Sequence, residues 1–419
     1  MTQASIAPPP GSQRFYGWTV VWAAFVVAVF GWGLGFYGPP IYLQAVQESR
    51  GWSVALVSAA VTVHFLFGAL VVVNLPRLHA CFGIALVTLG GAVLLALGVT
   101  GWAVAMQPWQ LFLATLFSGA GWVAMGAAGI NAMVSPWFAR RRPAALSMAY
   151  NGASVGGVIF SPLWVALIAW GGFVWASMVV GAGMVLIIAW LAFQVLRHTP
   201  EGMGLLPDGE AAPSPGTSAP VAGIAALRGS PWRDRAFVTL SLGMSLGLFA
   251  QIGLIAHLFS LLVPALGATG AGLAAGMGTA AAIAGRTLVG WWMPAGADRR
   301  VVAALNYGVQ MLGCLALLLA GGTEVALLLL GVLLIGLGIG NATSMPPLIA
   351  QVEFSKAEVG RVVALVTATA QASYAFAPAG FGLVREWGGE AGAFFVVAAG
   401  IQAVAALCYL RGRGAFTRR

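Results

Sequence analysis

A chain of 419 residues that is 60% hydrophobic and only 7% charged is not a set of soluble domains, in which about a quarter of the residues carry charge. Its net charge of +9 lies almost entirely in connectors between apolar runs, which excludes a nucleic-acid footprint and makes the charge a topology signal. Cys81, Cys314 and Cys408 have no C-x-x-C or histidine spacing, so neither a disulfide framework nor a metal site is expected.

In chain order, residues 1–16 lack an apolar core and are expected to be a flexible tail rather than a cleaved signal peptide. Apolar runs follow at 17–42, 53–75, 83–103, 108–134, 143–169 and 172–196, and again at 236–263, 268–293, 301–320, 324–349, 359–384 and 390–410. Most reach the roughly 20 residues that a helix needs to cross the hydrocarbon, and twelve transmembrane helices are predicted in an all-α integral membrane protein. Between the sixth and seventh runs, residues 197–235 contain Pro200, Gly202, Gly204, Pro207, Gly209, Pro213, Pro215, Gly216 and Pro220, a linker by composition. It divides the chain into bundles of six at 17–196 and 236–411, followed by a basic tail at 412–419.

Seventeen of the 20 Lys and Arg residues fall on one side of this twelve-span arrangement, only Arg50 and Arg385 on the other, and Arg286 within a span. Lys and Arg hold loops in the cytoplasm, so both termini are expected there. An internal repeat supports the two halves: Arg142, Ala145, Leu146, Ala153 and Ser154 reappear as Arg361, Ala364, Leu365, Ala372 and Ser373, all at an offset of 219. Both copies open the fifth helix of their half, as parallel repeats about an axis normal to the membrane would.

Arg286 is the charged residue of the apolar run 267–293. A guanidinium keeps its proton in low dielectric, so it must snorkel to the surface, meet a carboxylate, or receive an anion from outside. The run ends about seven residues later, within snorkelling reach at ~1.5 Å per residue. All eleven acidic residues lie in connectors or at helix ends, which leaves an incoming anion as the functional reading; two parallel hydrogen bonds match a carboxylate.

His64, near the middle of the second span, is either satisfied by neighbouring groups or acts as a proton carrier or substrate donor. His257, in the outer half of the seventh, is a candidate for gating or proton coupling. Asn131, Gln251, Asn341, Gln371 and Tyr374 complete the candidate substrate contacts, with interhelical bonding as their alternative role. Tyr37 and Tyr42 read equally as interfacial anchors, and Trp18, Trp52, Trp102, Trp109 and Trp137 as an aromatic belt.

Three segments resemble the major facilitator superfamily, and particularly its monocarboxylate and oxalate/formate branch. They are Tyr16-Gly17-Trp18-Thr19-Val20-Val21 through Phe25, with Gly51-Trp52-Ser53; Trp137-Phe138-Ala139-Arg140-Arg141-Arg142-Pro143, with Gly152 and Val155-Gly156; and Gly285-Arg286. The resemblance implies the major facilitator fold, two six-helix pseudo-symmetric bundles, with helices one, four, seven and ten lining the cavity and Arg286 binding substrate carboxylate. The superfamily loop G-x-L-x-D-R-x-G keeps only Leu78 and Gly83 here, with Ala80 at its acidic position, whereas Asp298, Arg299 and Arg300 retain a candidate gate latch in the second half. The branch's acid before the helix-eight arginine and its helix-one lysine fall on Ala282 and Phe36.

The expected function is secondary active transport of a small organic anion, a monocarboxylate, by proton symport or anion exchange; the alternative is a carrier or exporter of a drug-like or neutral solute. Without a G-x-x-x-x-G-K-S/T loop or a buried catalytic constellation, neither ATP-driven transport nor an enzyme is expected. No cofactor is expected. The expected partners are an anionic solute, protons and lipid, the expected state a monomer, and the expected location a bacterial inner membrane.

Overall fold

The computed structural model describes residues 15–209, 230–294, 296–388 and 391–413. The expected tails at 1–14 and 414–419 and the middle of the expected linker, 210–229, lie outside the described residues.

Among the described residues, eight helices are long and apolar enough to cross a membrane, and Val325–Ile339 is a shorter apolar helix. Leu56–Val104 and Arg142–Leu196, at 49 and 55 residues, exceed one crossing, since such rods are roughly 70–80 Å long against ~30 Å of hydrocarbon. Gly83 (φ 78°), Gly172 (φ 78°) and Gly267 (φ 66°) break the three longest rods in a backbone region that L side chains avoid. Among the described residues twelve helices result: α1 (Gly17–Arg50, interrupted at Phe36 and Tyr37), α2 (54–82), α3 (84–104), α4 (Pro108–Trp137, interrupted at Gly126), α5 (142–171), α6 (173–196), α7 (235–266), α8 (268–292), α9 (Arg299–Leu319), α10 (325–353, interrupted at 340–344), α11 (356–388, interrupted at Ala375 and Phe376) and α12 (Ala391–Arg411).

Ser118 of α4 shows that the chain turns back at Gly83. His64, 19 residues before the glycine, and Trp102, 19 residues after it, both reach the Ser118 hydroxyl, at 2.8 and 3.2 Å. Only antiparallel α2 and α3 bring both to one height.

The two bundles meet through two helix pairs that a pseudo-two-fold axis exchanges. α5 lies on α8, where Asn151 Nδ2 donates to Thr287 Oγ1 at 2.9 Å, and α2 lies on α11, where Gln371 Nε2 donates to the Phe65 carbonyl at 2.8 Å. Shifting Phe65 and Gln371 by 219 residues lands on positions 284 and 152, within three residues of the other contact. The offset found in the sequence therefore describes the three-dimensional repeat.

Inside each bundle, glycine permits close crossings where lipid supplies no hydrophobic drive. A Cβ on Gly152 of α5 would stand 2.2 Å from the Phe25 carbonyl oxygen of α1. Gly152→Val is expected to cost about 1–3 kcal/mol through overpacking. A melting temperature in detergent equal to that of the parent would contradict this crossing.

One end of the molecule is basic, with Arg77, Arg140, Arg141, Arg142 and Arg299 at its rim. Arg300 is buried there, 1% exposed. Its Nε and Nη2 donate to the two carboxylate oxygens of Glu353 at 2.5 and 2.7 Å, and Nη2 also donates to the Ala236 carbonyl at 2.7 Å. Glu353, expected as a peripheral acid, is thus the half-buried partner of a buried arginine. The described part of the linker folds back on the first bundle: the Asp208 carboxylate accepts from the backbone N–H groups of Ala139, Arg140 and Arg141 at 3.1, 2.7 and 3.2 Å.

Candidate functional site

A cavity of about 90 Å³ lies between the bundles. The first bundle contributes Trp32 from α1 with Phe36 and Tyr37 from its interruption, Trp122 from α4 and Ser154 from α5; the second contributes Gln251 from α7, Arg286 from α8, and Gln371 and Tyr374 from α11. The interrupted α1 turns Tyr37 inward, while Tyr42 is buried and donates its hydroxyl to the Leu34 carbonyl at 3.2 Å. Neither is an interfacial anchor, and Trp102 and Trp137, at 1% and 2% exposed, are core residues instead of belt residues.

Arg286 is 4% exposed. Its Nε donates to the Gly340 carbonyl of α10 at 2.5 Å; its Nη1 donates to the Tyr150 carbonyl at 2.5 Å and to Asn151 Oδ1 at 3.2 Å, both on α5. The guanidinium therefore bridges the bundles. It does not snorkel, no carboxylate among the described residues pairs with it, and Nη2 makes no hydrogen bond to a described residue. A permanent cation without an internal counter-ion, bordering a cavity, gives that cavity a positive potential in low dielectric.

Of the other candidates, Gln251, Gln371 and Tyr374 join Arg286 around the cavity. Gln251 is 6% exposed and its Oε1 has no hydrogen-bond partner. His64, Asn131, Asn341 and His257 lie elsewhere. His64 sits behind the wall: Nε2 donates to the Gly35 carbonyl at 2.9 Å, which fixes Nδ1 as the acceptor of the Ser118 hydroxyl at 2.8 Å. It braces the interruption of α1. His257 Nε2 donates to the Pro378 carbonyl at 3.1 Å. Asn341 donates to Asn306 Oδ1 at 2.8 Å and, with Tyr307 and Gln310, borders a separate space of about 10 Å³ inside the second bundle, the size of one water.

Asn131 belongs to the seal at the basic end. Its Oδ1 and the Ser135 hydroxyl each accept from Gln351 Nε2 at 2.9 Å, while Arg142 donates to Gln351 Oε1 at 3.3 Å and to the Ser135 carbonyl at 3.0 Å. Nearer the cavity, Ser147 Oγ donates to the Arg286 carbonyl at 2.8 Å. The hydrogen bonds of Asp298 and Arg299 stay within the second bundle: Asp298 caps α9 and pairs with Arg413 at 2.7 Å, and Arg299 donates to the Leu348 carbonyl. Sequence reasoning passed over Gln351, Tyr150 and Trp122; a carbonyl acceptor such as that of Tyr150 leaves no mark on residue type.

A family model described as Major Facilitator Superfamily matches residues 21–378. The chain belongs to the major facilitator superfamily. Membership in this transporter family, with the apolar helices above, makes it a multi-pass membrane transporter rather than an enzyme. Among curated proteins, this major facilitator chain is 29% identical over 285 residues to the MFS transporter asaE of Aspergillus flavus, covering 62% of this chain and 58% of that protein. It is 27% identical over 341 residues to human monocarboxylate transporter 11, covering 77% of this chain and 66% of that one. The matches thus span less than two thirds of either relative. Among solved structures, the Escherichia coli fucose:proton symporter FucP matches with TM-score 0.69 at 16% identity, covering 95% of this chain and 99% of that one. The human organic anion transporter MFSD10 matches with TM-score 0.67 at 17% identity, covering 96% and 100%. Both share the major facilitator fold.

Proposed function

We propose that this chain is a secondary active carrier for a small organic monoanion, a monocarboxylate, with Arg286 as its anchor. The observation that carries the reading is a buried guanidinium bordering the inter-bundle cavity with no carboxylate partner and with Nη2 unengaged by described residues. The printed names of monocarboxylate transporter 11 and of the organic anion transporter MFSD10 agree with an anionic cargo, and that of the fucose:proton symporter with proton coupling. The proposed location is a bacterial inner membrane with the basic end and both termini cytoplasmic, a reading that the arginine asymmetry supports.

In this state the basic end is closed by Gln351, Asn131, Ser135 and Arg142. Cargo would enter beside the interruption of α1 from the opposite end. Opening the basic end separates α5 from α8, so the bonds from Arg286 to Tyr150 and Asn151 must break. A bound carboxylate replaces those acceptors as the partner of the guanidinium, and cargo binding thereby favours opening.

Reconstituted protein should accumulate a labelled monocarboxylate under an imposed inward proton gradient or in exchange for a trapped anion. Competition by neutral solutes and organic cations but not by carboxylates would replace this reading with the drug-like or neutral cargo. His64 and His257 remain the proposed proton carriers; proton-coupled uptake retained in a His64→Gln, His257→Gln double variant removes that role from both.

A further inference from the structure

The cavity walls also describe the body of the cargo, an inference that rests on Arg286 holding a carboxylate. The first bundle presents rings. Trp32 and Trp122 meet edge to face with centroids 4.9 Å apart at 83°, and Phe36 lies 6.1 Å from Trp122 at 33°. Leu248, Ile252, Ile255 and Ile339 of the second bundle also line the space. Tyr374 adds a ring from the second bundle, and a cavity lined by rings and branched aliphatic side chains suits a flat apolar body, which gains both ring and dispersion contacts.

Among the polar groups of the lining, one has an unmade hydrogen bond. Gln251 Oε1 is buried without a hydrogen-bond partner, and Gln251 borders the cavity. An unmade buried hydrogen bond is costly, so such groups in a binding cavity await a ligand or water. A hydroxyl satisfies Gln251 whichever way its amide is turned, because a hydroxyl both donates and accepts. No Asp or Glu among the described residues lines the cavity, so an ammonium group would enter without a counter-ion from them. Amino acids and amines are therefore poor cargo. One guanidinium serves one carboxylate.

We infer that the cargo is a hydroxylated aromatic monocarboxylate, and that Gln251 is the residue that reads its hydroxyl group. A site built to hydrogen-bond a hydroxyl discriminates strongly against the analogue lacking it, whereas an apolar pocket does not.

The experiment uses the full-length protein in proteoliposomes and two labelled probes, 4-hydroxybenzoate and benzoate, competed by 3-hydroxybenzoate, acetate and tyrosine. The parent should take up the hydroxylated acid at least about tenfold more efficiently than benzoate, with acetate and tyrosine competing weakly. In Gln251→Leu that ratio should fall towards one while benzoate uptake persists; Gln251→Met, closer in shape, is the second variant if the leucine protein does not fold. An unchanged ratio in a folded Gln251 variant, or acetate outcompeting both aromatic acids, overturns the inference while leaving the anion reading intact. Failure of the parent to take up or be inhibited by any carboxylate overturns the anion reading itself.

Discussion

Arg286→Ala should abolish saturable anion uptake, and Arg286→Lys should restore only a small part of it. The guanidinium is held on one side by Gly340 and on the other by Tyr150 and Asn151, so its planar fork is aimed before cargo arrives. Removing one partner of a buried charge-assisted pair costs roughly 2–5 kcal/mol, a loss of about thirtyfold to several thousandfold in affinity. Lysine keeps the charge but has neither the fork nor the reach to satisfy three acceptors and a carboxylate together. Alanine also removes the bridge between α5 and α8, so it should raise the fraction open at the basic end. Cysteine accessibility near Ser135 or Gln351 measures that separately from uptake. Parent-like uptake in a folded Arg286→Ala protein would reject the anchor.

Glu353→Ala should be the most destabilising single change at the basic end. Arg300 is fully buried, and Glu353 supplies both oxygens of its bidentate pair. Truncating one member of such a pair typically costs about 3–5 kcal/mol, because the remaining charge stays buried. Ala236 and Thr239 still accept from Arg300, which places the expected loss at the lower end of that range. An Arg300→Met, Glu353→Leu double variant should recover most of the melting temperature, as buried pairs replaced by apolar residues commonly do. Equal loss in the single and double variants would mean that packing rather than charge dominates this site.

The helical spans, the division into two bundles and the burial of Arg286 within a span were legible because each follows from one-dimensional quantities: length, hydropathy, charge and a fixed offset. Rotation about a helix axis was not legible. His64 and Asn341 are as deep as the cavity, yet one faces Ser118 and the other Asn306. Gln251 and Gln371 face the cavity with no difference in sequence character. The Arg300–Glu353 pair was hidden for another reason. Both residues sit at helix ends, which read as wet in a linear sequence, and neighbouring helix ends fold over them. The weakly amphipathic spans explain the difficulty, since hydropathy cannot separate a lipid-facing residue from an inward-facing one when both are apolar.

Asp208 has a mechanical consequence. With its carboxylate fixed on residues 139–141, the first bundle extends along the chain to 208, and the second begins at Asp234, which caps α7 through the Phe237 N–H at 3.1 Å. The covalent tether between these two anchorages is the chain from 209 to 233, whose contour length is at most about 90 Å at ~3.6 Å per residue. A tether with that maximal reach, against a helix diameter of roughly 10–12 Å, is long enough to let the halves rock without being drawn taut. Synchrony between the halves must be carried by friction and fit along α2–α11 and α5–α8, and the two bundles should still work as a pair when the chain is severed between 210 and 229.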